Sequence, residues 1–405
     1  MSGRPRILVL VGYYLPGYRA GGPLRTIANA VERLGDEFAF RVITSDRDLG
    51  ATEPYRGVVP NQWVKVGKAE VLYVPNGSPR GVLHHIRKTD HDILYLNSFF
   101  SPPFSMVPMW ACLLGLLDPA AIVMAPRGEF SSGALELKPW KKRPYVALAR
   151  RMPVYRRIVW HASSEFEAED IRRVFQESVS FERTPVPPAR GRKACSCNVA
   201  TASDFPSPGG AGDGRRLQTA KPSNSLRCVF LSRIARKKNL DGAIRVLRAV
   251  RANVAFDVYG PIEDQVYWRE CQRLIAGLPS NIRVRYRGEV RHEDVASVLG
   301  EYDLFLFPTR GENFGHVIYE ALAAGCALLI SNLTPWRQLE KLGVGWDVPL
   351  DRAERFSELI EQCAMMSPEG FLSLRARAQA AARKHYDDPL LVAQNRAIFA
   401  QALGR

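Results

Sequence analysis

Apolar residues in this chain come in short continuous runs separated by longer amphipathic stretches. In the amino-terminal half the runs are Arg6 to Gly12, Phe40 to Thr44, Val71 to Pro75, Ile93 to Leu96 and Ile122 to Ala125, while Leu24 to Leu34 has helical spacing. Runs this short and this uniformly apolar suit strands buried on both faces, as in a parallel sheet. The carboxyl-terminal half restarts the series with strands at Arg227 to Leu231, Ala255 to Tyr259, Arg283 to Tyr286, Leu304 to Phe307 and Ala327 to Ile330, and helices at Asp241 to Arg251 and Gln265 to Ala276. The pattern predicts an α/β protein of two Rossmann-like, doubly wound domains, residues 1–181 and 226–384. Between them, Glu182 to Ser225 is rich in Pro, Gly, Ser, Ala and Arg without periodicity and reads as linker and loop.

Composition narrows this picture modestly. The 405 residues are 46% apolar and 10% aromatic, which excludes a disordered chain and fits two ordinary domains. Seven scattered cysteines show no metal-ligand spacing, and Cys195-Ser-Cys197 alone is a weak zinc signal, so free thiols in a reducing compartment are expected. The apolar run near the amino terminus, Ile7 to Gly12, is too short for a signal peptide core, and Phe104 to Leu117 falls below the ~18 residues of a spanning helix. A cytoplasmic protein is expected. Its formal net charge of +15 favours an anionic partner: nucleic acid, acidic lipid or a phosphorylated small molecule.

Open parallel sheets bind ligands beyond the carboxyl ends of their strands, so the loops there deserve the closest reading. After the first strand, GYYLPGYRAGGP brings Gly21 and Gly22 to the start of a helix. Bare N–H groups there favour a phosphate or sugar hydroxyl, or the glycines only serve a turn with positive φ. After the first strand of the second half, SRIARKKN places Arg233, Arg236, Lys237 and Lys238 together, as a solvated charge run or as a clamp for a diphosphate. After Leu304 to Phe307 comes RGENFGHVIYEALAAG, with Glu312 in a loop and Glu320 about one turn inside a helix closed by Gly325. Carboxylates only accept hydrogen bonds, so this pair suits the vicinal hydroxyls of a sugar, while the N–H groups of Asn313, Phe314 and Gly315 face an anion.

These stretches resemble a known family. ENFGHVIYE is similar to the E-x7-E motif of retaining GT-B glycosyltransferases, particularly glycosyltransferase family 4. SRIARKKN resembles that family's Arg and Lys phosphate clamp, and YLPGYRAGGP its amino-terminal substrate loop. The resemblance implies a GT-B architecture of two domains facing a cleft, with residues 385–405 as a helix crossing back to the first domain. It implies that Glu312 contacts the transferred sugar, Glu320 the ribose, and Arg233 and Lys238 the leaving diphosphate, with Val290 in RGEV beside the base. The substrate is then a nucleotide sugar, used with retention, with no cofactor and no metal site, and the acceptor a glycan or lipid-linked acceptor of bacterial cell-surface polysaccharide synthesis.

Where many family members carry a histidine, this chain reads VMAPRGEFSSG, which makes Arg127 and Glu129 the acceptor-side candidates. His161 either ends a strand structurally or lines the cleft, and Trp336 is either a sugar platform or a core residue. Asp46-Arg47-Asp48 reads as loop decoration. The segment from 137 to 160, LKPWKKRPYVALARRMPVYRRIVW, has eight basic residues and no acidic one, interleaved with Trp140, Tyr145, Tyr155 and Trp160. It reads as a solvated helix face or as a peripheral contact with the anionic cytoplasmic face of the inner membrane. A basic nucleic-acid-binding module is disfavoured because Glu312 and Glu320 would repel phosphates, so no nucleic acid is expected. A sugar-nucleotide epimerase of the same fold is the enzymatic alternative.

Overall fold

The structure is a computed structural model that describes residues 3–136, 138–176, 198–207 and 225–404. The chain divides into two compact units, Met1–Phe205 with Pro389–Arg405, and Pro206–Asp388. The first unit runs β1 (Arg6–Leu10), α1 (Gly22–Leu34), β2 (Ala39–Ser45), β3 (Trp63–Val66), β4 (Ala69–Val74), α2 (Pro79–Lys88), β5 (Ile93–Asn97), α3 (Val107–Leu113), β6 (Ala121–Ala125), α4 (Ser132–Glu136), α5 (Pro139–Ala149), β7 (Val159–Ala162), α6 (Glu165–Gln176) and β8 (Val199–Thr201). Its sheet has the order β3-β4-β2-β1-β5-β6-β7-β8, parallel throughout except where β3 meets β4.

The uninterrupted apolar runs follow from burial on both faces. Leu8, Leu10, Leu94 and Leu96 pack with Val82, Ile86 and Met109 of α2 and α3, while Ile7, Val9, Val42 and Tyr95 pack with Ile27 and Val31 of α1. Strand β3 escapes a search for such runs because it is an antiparallel edge strand whose residues alternate between exposed and half-buried. Strand β8 lies within the segment read as linker, and pairing Trp160, His161 and Ala162 of β7 with Val199, Ala200 and Thr201 makes that part of it sheet. Three residues are too few to show a period. Residues 182–197 and 208–224 of that segment lie outside the described residues.

The second unit runs β9 (Leu226–Leu231), α7 (Leu240–Leu247), β10 (Val254–Tyr259), α8 (Gln265–Ala276), β11 (Ile282–Gly288), α9 (His292–Gly300), β12 (Leu304–Phe307), α10 (His316–Ala323), β13 (Ala327–Ser331), α11 (Leu339–Leu342), β14 (Gly345–Val348), α12 (Ala353–Ala364) and α13 (Pro368–Tyr386). All six strands are parallel, in the order β11-β10-β9-β12-β13-β14. The direction of winding reverses between β9 and β12, the place where such sheets open a ligand crevice. The last helix, α14 (Pro389–Ala402), belongs to the first unit. Its Phe399 lies 5.2 Å from Phe38 and 5.6 Å from Tyr95, ring centre to ring centre, and burial of such a side chain contributes about 1.5–3 kcal/mol.

The basic segment from 137 to 160 is not a uniform surface. Tyr145, Tyr155 and Trp160 are core residues, with Tyr155 stacked 6.2 Å from Trp160, so only Trp140 of its four aromatics is presented to solvent. Among the described residues no helix is long and apolar enough to cross a membrane.

Candidate active site

The loops after β9 and β12 are sewn together. Arg310 N–H donates to the Lys237 carbonyl at 2.9 Å, and Asn239 Nδ2 donates to the Pro308 carbonyl at 2.7 Å. Asn239 can do this because it sits in the left-handed region, φ 60°, where it also precedes α7. This junction brings Lys238 and Glu312 together: Lys238 Nζ donates to Glu312 Oε1 at 2.5 Å, and Thr309 Oγ1 donates to the same oxygen at 3.1 Å. Both side chains of the ion pair are nearly buried. Burial works to raise the Glu312 pKa, but Lys238 and Lys237, with the two hydrogen bonds, outweigh it and hold the carboxyl below the usual range. Glu312 is therefore an ionised acceptor whose Oε2 takes no hydrogen bond from the described residues.

The loop between the two glutamates is held from below. Glu312 N–H donates to the Leu333 carbonyl at 3.1 Å, and the Trp336 indole N–H donates to the Phe314 carbonyl at 2.6 Å. Trp336 also packs with Phe314 and His385, so it is a supporting residue that fixes the loop from the protein side. Gly315 takes φ 78° at the start of α10, and a Cβ there would lie 2.8 Å from Ile318 Cδ1. A side chain there would strain the backbone and require Ile318 to shift. Asn313 Nδ2 is buried without a hydrogen-bond partner, an arrangement that calls for a missing acceptor. Glu320, on α10, has His292 Nδ1 at 3.8 Å.

Arg233 is bonded to Glu263 at 2.7 Å and Arg236 to Glu270 at 2.6 Å and to Asp264 at 3.9 Å, so the basic cluster is divided among four carboxylates and does not form a ready clamp. Val290 packs against the core of the second unit, in the connection that leads to His292. Asn239, Thr309 and His292 were not singled out from sequence. The available signals were an Asn at a helix start, a Thr after the strand-ending Pro308, and a His two residues beyond Val290.

Gly21 and Gly22 begin α1 in the first unit, with Gly21 at φ 67° and open space where a Cβ would lie. Asp48 ties this loop down, accepting the Tyr18 and Arg19 N–H groups at 2.9 and 3.2 Å. Asp46 instead accepts from Arg47 at 2.9 Å and from Asn76 N–H at 3.0 Å. The Asp-x-Asp sequence therefore fastens loops.

Arg127 is almost wholly engaged. It donates to Asp204 at 2.8 Å, Ser163 at 3.0 Å, Tyr95 at 2.7 Å and Asn97 at 3.0 Å. Tyr95 Oη lies 2.6 Å from His161 Nδ1, and His161 Nε2 lies 3.2 Å from the Ala202 carbonyl. With Arg127 donating to Tyr95, the hydroxyl proton goes to Nδ1 and the ring carries its proton on Nε2. Burial, reinforced by Arg127, pushes the His161 pKa down to about 4, so the ring is neutral and structural. Glu129 accepts from Ser98 Oγ at 2.7 Å and from the N–H groups of Phe99 and Phe100 at 2.5 and 3.1 Å. Burial raises its pKa despite those bonds.

Residues 215–385 match the family model described as Glycosyl transferases group 1. A phosphatidyl-myo-inositol mannosyltransferase of Mycobacterium tuberculosis is 40% identical over 70 residues, a stretch that covers 17% of this chain and 18% of that protein. Among solved structures, Anabaena HepE in complex with UDP and glucose superposes with a TM-score of 0.65 at 16% identity, covering 99% of this chain and 100% of that one. WaaG, a glycosyltransferase involved in lipopolysaccharide biosynthesis, gives 0.65 at 16% identity, covering 98% of this chain and 100% of that one. Sucrose-phosphate synthase from Thermosynechococcus elongatus gives 0.69 at 13% identity, covering 99% of this chain and 100% of that one. The chain therefore has the GT-B fold, and residues 215–385 are similar to the glycosyl transferases group 1 family.

Proposed function

We propose that this protein is a retaining glycosyltransferase that moves a hexose from a nucleotide sugar to a glycan or lipid-linked acceptor in cell-surface polysaccharide synthesis. The observation that carries the reading is the ionised Glu312, held by Lys238 and Thr309 on one oxygen at the reversal point of the second sheet. An acceptor-only group with one oxygen open suits sugar hydroxyls, and Glu320 on the following helix suits the ribose. The buried Asn313 amide and the N–H groups of Phe314 and Gly315 suit an anionic or hydroxyl oxygen at the start of α10.

In this reading the nucleotide sugar releases Lys238 and Arg233 from their carboxylate partners, and the two cations then face the diphosphate without a metal ion. The leaving phosphate assists deprotonation of the acceptor, which joins the anomeric carbon on the face the diphosphate departs. Gly21 and Gly22 serve as substrate contacts of the first unit. Arg127 and Glu129 serve there as positioning groups, because their polar atoms are already engaged. The protein works at the cytoplasmic face of the membrane, held there by its basic surface.

A thermal-shift panel of nucleotide sugars tests the donor, since a ligand at 100 times its Kd stabilises by about 2.7 kcal/mol. Transfer that survives EDTA and retains anomeric configuration in the first-formed product, read by NMR, is the expected result. No shift with any nucleotide sugar would overturn the reading, and donor conversion without acceptor would replace it with an epimerase.

A further inference from the structure

Helix α3 ends in a tightly fixed turn. Gly115 takes φ 68°, its N–H donates to the Cys112 carbonyl at 3.2 Å, and Leu116 N–H donates to the Ala111 carbonyl at 2.8 Å. This is the Schellman arrangement, which normally tucks an apolar residue back against the helix. Here the leucines face outward: Leu113 is 37% exposed, Leu114 67% and Leu116 47%. Single exposed leucines are ordinary, but three within four residues on a rigid turn form a patch that needs an occupant.

The surroundings of the turn indicate which. Arg87 Nε donates to the Leu116 carbonyl at 3.2 Å, so the basic end of α2, with exposed His84 and Lys88, adjoins the leucines. On another side α3 packs against the turn Pro153–Arg156, which ends in exposed Arg156 and is followed by exposed Arg157. Asp118 is the single carboxylate between residues 107 and 121, and Asp90, beyond α2, is paired with Arg6 at 3.5 Å. A second copy of the chain would bring these cations against themselves. An anionic bilayer offers both a carbon layer for leucines and phosphates for the cations around them.

We propose that the Leu113–Leu116 turn is a membrane wedge, with its leucines entering the interfacial layer of an anionic bilayer and Arg87, Lys88, Arg156 and Arg157 contacting lipid phosphates. The wedge rests on the membrane-surface part of the proposed function and is independent of the sugar-transfer part. It shares only Arg156 and Arg157 with the contact suggested by residues 137–160, a segment whose aromatics are mostly core and whose Lys142 turns to the Ala134 carbonyl at 2.6 Å.

The test is co-sedimentation of the full chain with vesicles of phosphatidylglycerol and phosphatidylcholine, and with phosphatidylcholine alone, at low and high salt. The wild type is expected to sediment with anionic vesicles and to keep part of that binding at high salt, because leucine burial is not screened. Leu114→Glu/Leu116→Glu should lose the salt-resistant part, about tenfold or more in partitioning. Arg156→Glu/Arg157→Glu should lose mainly the salt-sensitive part. Leu114→Ser/Leu116→Ser serves if the glutamates disturb folding, and nucleotide-sugar thermal shifts should be unchanged in every variant. The proposal is overturned if the leucine variants bind like wild type, if the wild type binds no vesicle, or if the leucines instead support a concentration-dependent dimer. A lost thermal shift in the wild type would count against the sugar-transfer reading and leave the wedge standing.

Discussion

Glu312 and Glu129 are both largely buried carboxyl groups in loops that follow parallel strands, yet their environments push them in opposite directions. Glu312 has Lys238 at 2.5 Å and Lys237 nearby, and is held below its ordinary pKa. Glu129 is bonded by a hydroxyl and two backbone N–H groups, with Lys142 only a lesser influence, and is raised. The difference teaches that hydrogen-bond number does not settle charge state in a buried site; a nearby full charge does. Arg127 and Asp204 are the first unit's counterpart to Lys238 and Glu312, but that pair is closed by further bonds to Tyr95, Asn97 and Ser163. One pair leaves Glu312 Oε2 without a hydrogen bond from the described residues, and the other is a fastener.

The largest expected effect comes from breaking the fastener. Arg127→Met takes the guanidinium away from the buried Asp204 carboxylate and should cost about 3–5 kcal/mol in urea unfolding, while Arg127→Met/Asp204→Asn should recover a good part of it. A loss of activity at unchanged stability would instead make Arg127 a substrate contact. Next, Glu312→Gln should lower kcat/KM by about 1.5–3 kcal/mol, mostly in kcat, and Glu320→Gln should mainly raise donor KM by about 1–3 kcal/mol. Glu129→Gln should stay within about 1 kcal/mol of wild type, since its carbonyl can face the Phe99 and Phe100 N–H groups while its NH2 faces Ser98. Equal losses in all three would erase the distinction.

The pH dependence of stability sharpens the same contrast. Glu312 is depressed below 4.5 when folded, so its contribution is complete above that value and is lost as pH falls through the folded pKa. Glu129 is raised above 4.5, so its cost is absent below that value and grows as pH climbs to the folded pKa. Urea titrations should therefore show wild type losing ground to Glu312→Gln on the acid side of 4.5 and to Glu129→Gln on the other. Same-side slopes would contradict the assigned directions. A small effect on turnover belongs to Trp336→Phe, which removes the indole donor from the Phe314 carbonyl and should lower kcat by about 0.5–1.5 kcal/mol in barrier with donor affinity nearly kept.

The sequence by itself determined the strand and helix series, because strands covered on both faces must be apolar throughout and helices must keep one apolar side. It also set the local placement of Glu312 in a loop and Glu320 on the next helix, through the glycines that bound them. What it could not contain was partnership across distance. Lys238 meets Glu312 across 74 residues and Arg127 meets Asp204 across 77, and nothing in either local pattern marks one pair as open and the other as closed. Burial was equally hidden: Trp160 and Tyr155 read like Trp140 in sequence, and only packing sent them inward. The three-residue β8 is sheet only because β7 lies beside it. Local geometry is written in neighbouring residues, whereas charge state, exposure and the pairing of short strands depend on what the fold brings next to them.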